Sequence, residues 1–158
     1  MKIKIHYAIL VCIVVLASAC TKETTEAPIV PEAKNVIEIE GELLSVVNVH
    51  RTTLGLNALD YSAVAYEYAN QHNDYMIAKG NLSHDNFSAR ASKISLEESA
   101  EYVAENVAKD YDNADEAFQG WLISSSHKST MEGEFTHTAV SVKKNDAGKF
   151  YFTQIFFR

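Results

Sequence analysis

Helical spacing of apolar residues dominates the chain from residue 36 onward. A first helix is predicted over residues 36–54, before Gly55, and a second over about 61–79, before Gly80. Asp60 or Ser62 can cap the second helix. The buried stripe of the first helix is predicted to contain Ile39, Leu43, Val46, Val47 and Leu54.

A third helix is predicted after Asp112-Asn113, and it carries Trp121 in a buried stripe. The chain then turns to β structure. Residues 138–142 alternate apolar and polar, residues 144–149 form a hairpin connection, and residues 150–157 are apolar on both faces. A strand that is apolar on both faces needs cover on both faces. The expected fold is therefore α+β, a three-layer α–β–α sandwich around a central antiparallel sheet.

Residues 95–110 are compatible with either helix or strand. An extended chain places Glu105 on one face with Val103 and Val107, where a buried carboxylate needs a partner. A helix would instead place Glu98, Glu101 and Glu105 in a solvated acidic stripe, which composition alone favours.

Composition and charge exclude several classes of function. Of 158 residues, 47% are hydrophobic and 22% charged, which indicates one ordinary globular domain. The formal charge is −7, and an acidic surface repels nucleic-acid phosphates, so no nucleic-acid partner is expected. Both cysteines, Cys12 and Cys20, precede the globular part, which excludes a cysteine nucleophile and a cysteine zinc site there.

The first 19 residues are typical of an export signal. Two lysines precede an apolar core at residues 9–16, and three small residues, 17–19, precede Cys20. The pattern resembles a bacterial lipoprotein signal, in which Cys20 is lipidated and anchors the protein to a membrane. Ordinary cleavage that leaves Cys20 unmodified is the alternative. The expected location is the cell envelope, facing the periplasm or the exterior.

The organisation that follows has three parts: a signal peptide at 1–19, a lipidated cysteine with a flexible tether at 20–34, and one domain at 35–158. The tether contains both prolines with many threonine and glutamate residues and has no periodicity.

The order of motifs within the domain resembles the small bacterial branch of the CAP superfamily, also called SCP-like extracellular domains. The stretches that carry the resemblance are Asn48–Arg51, His72 with Met76, Ser83-His84, Glu105-Asn106, Trp121 with Ser126-His127, and Phe152–Phe156. The resemblance implies a cleft that gathers histidine and glutamate side chains and can hold a divalent metal.

Carried over by position, the resemblance implies His84, Glu105 and His127 as catalytic or metal-binding residues. It also implies that Asn106, Tyr151 and Ser126 line the cleft. Tyr151 stands where animal members have a further histidine. Two imidazoles and a carboxylate suit Zn²⁺ with one open position, and suit Ca²⁺ less well. His72 is interpreted as a hydrogen-bonded core residue rather than a ligand.

Two functions remain open from the sequence. The first is an extracytoplasmic binding module for an unknown ligand, lipid or protein, and the absence of an evident nucleophile with a base favours it. The second is a metal-assisted hydrolase acting on peptide or cell-envelope material, with Glu105 as base or ligand. A third reading is that the polar cleft only stabilises the sandwich.

Overall fold

A computed structural model describes residues 33–158 of the chain. The predicted signal peptide, Cys20 and nearly all of the tether lie outside these residues. The described elements are α1 (Ile37–Thr53), β1 (Asp60–Tyr61), α2 (Ala63–Lys79), α3 (Phe87–Glu98), β2 (Val103–Lys109), α4 (Ala114–Ile123), α5 (Ser125–Met131), β3 (His137–Lys144) and β4 (Phe150–Phe157). No helix within residues 33–158 combines the length and the apolar character needed to cross a membrane.

The four described strands form one sheet in the order β1-β3-β4-β2. β4 pairs antiparallel with β3 on one side and with β2 on the other. The two-residue strand β1 adds to β3 in parallel, through Asp60 opposite His137. This short parallel pair is a detail that the predicted antiparallel sheet lacked. β2, which carries Glu105, is the last strand at its side of the sheet.

Helices cover both faces of the sheet, and the predicted three-layer fold is confirmed. On one face, Leu43 and Val47 of α1 and Trp121 of α4 are buried in a core with Phe152 and Phe156. On the other face, a second core contains Ala65 and Ala69 of α2, Ile94 of α3, and Ile155 and Phe157 of β4. Burial of both faces explains why residues 151–157 are apolar on both faces except at Thr153 and Gln154.

The boundaries of α2 follow from its caps. The Ser62 hydroxyl accepts a hydrogen bond from the Ala65 N–H, and Gly80 ends the helix with a positive φ of 72°. The helix starts later than predicted, because Tyr61 pairs with Thr138 in the sheet. Leu54, predicted to be buried, is 52% exposed, since it lies beyond the last turn of α1.

The ambiguous stretch 95–110 contains both of the predicted structures. Residues 87–98 form α3, of which the sequence predicted only the possible last turn, and Ser99 ends it with a φ of 55°. Residues 103–109 are extended as β2. Glu105 is therefore a strand residue on a buried face, and the acidic helical stripe does not form.

Candidate functional site

The candidate site is built around Glu105 at the middle of β2. Glu105 lies opposite Ile155 in the register of β2 and β4, so its side chain shares the face that α2 and α3 cover. Asn106 lies opposite Gln154 and points to the other face, toward α4 and α5. Glu105 is 8% exposed, and an ionised carboxylate at this depth requires a charged or hydrogen-bonding partner.

Arg90 of α3 supplies that partner. Its Nε donates to Glu105 Oε2 at 2.8 Å, and its Nη2 donates to Oε1 at 2.9 Å. The planar guanidinium thus holds both carboxylate oxygens in a two-pronged ion pair, which is the strong geometry for this pair of groups. Both side chains are at least 91% buried. The charges of Arg90 and Glu105 cancel, so the bottom of the site carries no net charge.

His84 is the exposed member of the site. Its Nδ1 lies 2.9 Å from Glu105 Oε1, where a ring N–H donates to the carboxylate. The His84 side chain is 51% exposed. With Nδ1 engaged, a neutral ring keeps its free lone pair on Nε2. Arg90 also donates from Nη1 to the carbonyl of Asp85 at 3.2 Å, so one guanidinium fixes both the carboxylate and the loop that carries His84.

His72 lies beneath the same loop. It is a hydrogen-bonded core residue, as the sequence predicted. Its Nε2 lies 2.8 Å from the Ser83 carbonyl and donates to it, and the residue is 2% exposed. Burial lowers the pKa of His72, and the positive charge of Arg90 lowers it further, although Glu105, 3.7 Å away, opposes both. His72 is therefore neutral near pH 7.

His127, the third predicted site residue, lies in the opposite layer of the sandwich. It lies on α5, whose Met131 packs in the core with α1 and α4. Its backbone carbonyl accepts a hydrogen bond from Asn106 Nδ2 at 3.0 Å, which ties α5 to the edge strand. Burial lowers the pKa of His127, and the charge of His84 lowers it further. That the two imidazoles line one site stays a prediction.

The three residues predicted to line the cleft have different surroundings. Asn106 is fully buried, and its Oδ1 has no hydrogen-bond partner within the described part of the chain. Tyr151 is 3% exposed and packs with Met76 and Val107. Ser126 is exposed on α5. Their roles in a cleft stay predictions.

The predicted three-ligand metal site does not fit this geometry. Both oxygens of Glu105 are held by Arg90, and one also accepts from His84. Within residues 33–158 there is no group of three or more His, Cys, Asp or Glu side chains placed to hold a metal ion. Glu105 orients the His84 imidazole, as carboxylates do in the outer shell of metal centres, and the bond through Nδ1 leaves Nε2 of this half-exposed ring unused.

Arg90 is the functional residue that sequence reasoning missed. It lies fifteen positions before Glu105 on a helix that the pattern did not predict, so no local spacing links the two residues. One signal in the sequence pointed to such a residue. If residues 103–109 are extended, Glu105 is buried, and a buried carboxylate needs a cationic partner from elsewhere in the chain.

The lowered pKa of His72 predicts that stability falls as the solution becomes acidic. Below about pH 6.5, the unfolded chain binds a proton at His72 before the folded protein does. The free energy of unfolding should therefore fall from pH 6.5 toward the folded pKa, by up to about 1.4 kcal/mol per pH unit for one histidine. Urea unfolding at several pH values between about 7.5 and 5.5 measures this slope. His72→Gln should give a shallower slope, and an unchanged slope would contradict the assignment.

Comparison with known sequences identifies a family. The model of CAP, described as the cysteine-rich secretory protein family, matches residues 44–156. The uncharacterized membrane protein YlbC of Bacillus subtilis (strain 168) is 30% identical over 123 residues, which cover 75% of this chain. The match covers 34% of that relative, so this chain spans about a third of its length.

Solved structures share the fold. An outer surface protein from Borrelia burgdorferi has a TM-score of 0.72 at 19% identity, and the match covers 80% of this chain and 98% of that one. An extracellular protein with an SCP domain from Bacillus anthracis has a TM-score of 0.65 at 25% identity, over 77% and 41% of the two chains. A cysteine-rich secretory protein from Staphylococcus aureus has a TM-score of 0.66 at 17% identity, over 81% and 40%.

Proposed function

Because the chain belongs to the CAP, or cysteine-rich secretory protein, family, we propose that it is an extracytoplasmic binding module. Its ligand meets the imidazole edge formed by His84 and His127. The observation that carries this role is the bond between His84 Nδ1 and Glu105, with Arg90 behind it. This chain of contacts holds one ring in a fixed orientation, with Nε2 available to a ligand, and so reduces the entropy cost of binding.

The same contacts make Glu105 a poor general base or metal ligand. Its charge is balanced by Arg90, and both its oxygens accept hydrogen bonds. The alternative function, a metal-assisted hydrolase acting on peptide or cell-envelope substrates, would have to use His84 as the base. The orientation of His84 by a carboxylate favours that assignment, since catalytic histidines are commonly oriented in this way.

A divalent metal is proposed only as a weak co-ligand. His84 and His127 could donate two imidazole nitrogens to Zn²⁺, and the remaining positions would be filled by water or by the bound ligand. Ca²⁺ prefers oxygen donors, and the Glu105 carboxylate is already engaged. The neutral charge of the Arg90–Glu105 pair adds no attraction for a cation.

We also propose that the domain is held at the cell envelope by a lipidated Cys20. One relative is named a membrane protein, and two of the similar structures are named as an extracellular and an outer surface protein. The signal-like residues before Cys20 support export. An unmodified Cys20 found by mass spectrometry of the exported protein would remove the anchor.

Nuclear magnetic resonance of the histidine rings tests the proposed site. Long-range ¹H–¹⁵N spectra of the protein should report His84 with its proton on Nδ1. Addition of Zn²⁺ should shift the Nε2 signals of His84 and His127, with an affinity on the order of 0.1–1 mM. His84→Ala should remove the response of His127 as well, because each ring alone is a weaker ligand.

His50→Ala is the matched control, since His50 lies on α1 and its Nε2 is bonded to Glu132, and its loss should leave the Zn²⁺ response of His84 and His127 unchanged. A His84 ring protonated on Nε2 alone would contradict the proposed orientation. Peptide hydrolysis that disappears in His84→Ala would replace the binding function with the hydrolase alternative.

A further inference from the structure

A second concave surface lies between α2 and α3, behind the His84 loop. Its volume is about 190 Å³. One wall consists of Tyr68, Gln71, His72 and Tyr75 on α2, at positions i, i+3, i+4 and i+7, which lie on one helix face. Facing helices are usually joined by apolar side chains along such a stripe. Here the stripe is aromatic and polar, so the helices leave an open groove.

The opposite wall repeats this spacing. It consists of Asn86, at the N-terminus of α3, followed by Ala89, Arg90 and Lys93. Ala89 is the small residue in the middle, and it leaves room between the two helices. Arg90 is occupied by Glu105, whereas Asn86 and Lys93 offer donors and acceptors along the rim.

The two tyrosine rings are held in place at their hydroxyl ends. Tyr68 donates to Glu97 at 2.5 Å, and Tyr75 donates to Asp85 at 2.8 Å. The bond to Glu97 is the main cause that raises the pKa of Tyr68 to about 12, so the phenol stays protonated. Tyr75 also stacks on the buried His72 ring, with 13° between the ring planes. Rings fixed in this way lose little entropy on binding a ligand.

From these walls we infer that the α2–α3 groove binds one pyranose ring of a neutral glycan. A sugar ring presents apolar C–H faces to aromatic rings and hydroxyl groups to a polar rim, and tyrosine with amide side chains supplies both kinds of contact. The volume is below the roughly 300–1,000 Å³ of pockets for drug-sized ligands, so the groove takes one ring of a longer chain.

Charge and backbone geometry distinguish a glycan from the other polymers. Arg90 is paired with Glu105, Lys93 lies over the Tyr68 ring, and the carboxylates of Glu97 and Asp85 bind the two tyrosine hydroxyls, so the charges around the groove do not sum to a positive value that would select an anion. An extended peptide is usually recognised through free backbone N–H and C=O groups. Both walls are helices, and beyond the first turn of α3 their backbone groups bond within the helix, so a peptide would find few free backbone groups.

This inference goes beyond the proposed function, because it assigns a ligand to a different surface from the His84–His127 edge. The test is a titration of the ¹⁵N-labelled protein with a β-1,4-linked N-acetylglucosamine trimer. Amide signals of residues 68–75 and 86–93 should shift, with a Kd on the order of 1 mM. Gln71→Ala, an exposed change that spares the fold, should weaken binding about tenfold, as should Tyr68→Ala.

Two further variants separate packing from recognition. Tyr68→Phe keeps the aromatic wall and should retain most of the binding, whereas Tyr61→Ala removes a tyrosine that is 57% exposed on β1 and should change nothing. His84→Ala should abolish the Zn²⁺ response and leave sugar binding intact, so each proposal can fail alone. Absence of shifts at about 10 mM trimer, shifts elsewhere, or shifts at the groove with tetraglycine but not with the trimer would overturn the inference.

Discussion

Replacing Arg90 with methionine is expected to lower the free energy of unfolding by about 3–5 kcal/mol, the cost of leaving one partner of a buried ion pair alone. The substitution leaves the buried Glu105 carboxylate without its cation, with His84 as its remaining hydrogen-bond partner. It also releases the carbonyl of Asp85 from its hydrogen bond. Urea unfolding followed by far-ultraviolet circular dichroism measures the loss.

A double-mutant cycle measures the interaction free energy between Arg90 and Glu105, apart from the effect of losing each side chain alone. Arg90→Met combined with Glu105→Leu removes both charges, and apolar replacements of a buried pair are often close to neutral. The double variant should therefore be more stable than Arg90→Met alone. Arg158→Met is the matched surface control, because its ion pair with Glu134 is exposed and should contribute less than about 1 kcal/mol. A loss below about 1 kcal/mol for Arg90→Met would contradict the role of the pair.

The same pair limits how Glu105 can be studied. Glu105→Gln keeps the shape of the side chain but removes its charge, and the buried Arg90 is then the unpaired ion. A loss of function in that variant would reflect instability as well as chemistry. His84→Ala is the cleaner probe of the site, because half of the His84 side chain is exposed and its removal leaves Arg90 and Glu105 paired.

Strong periodicity and good caps made most elements predictable. α2 has Ser62 and Gly80 at its ends, α4 has Asn113, and β4 is apolar on both faces. α3 lacks these signals. It begins after Asn86, whose side chain makes no cap, and ends at Ser99 rather than at a glycine. The buried residues of α3 are Ile94 and the charged Arg90, so its apolar stripe is too narrow to be recognised in the sequence.

The state of residues 103–109 depends on contacts that are remote in the sequence. Glu105 and its neighbours are extended because β2 pairs with β4, about fifty residues later. Local composition favours a helix there, and tertiary pairing overrides it. The contact of His84 with Glu105 could be expected only from the resemblance to a family, since it joins the loop after α2 to a strand residue 21 positions later. The presence of His127 in the same site stays a prediction.

Replacing Arg51 with methionine is expected to cost about 3 kcal/mol or more, because buried acceptors left unsatisfied cost about 1–3 kcal/mol each. Arg51 is fully buried at the end of α1. Its Nη1 donates to the carbonyls of Met131 and Gly133 at 2.7 and 2.8 Å, and its Nε donates to that of Asn57 at 3.0 Å. These bonds fix the connection between α5, which carries His127, and β3.

Arg51→Lys separates the charge from the shape of the guanidinium. Lysine keeps the positive charge but offers a single ammonium group, which cannot reach the carbonyls of Met131, Gly133 and Asn57 together. It should therefore lose at least half as much stability as Arg51→Met, and amide hydrogen exchange at residues 131–136 should accelerate in both variants. Wild-type stability in Arg51→Lys would mean that charge alone is sufficient. A small loss in Arg51→Met would instead mean that burial of Phe135, at 4% exposure, holds the connection without the hydrogen bonds.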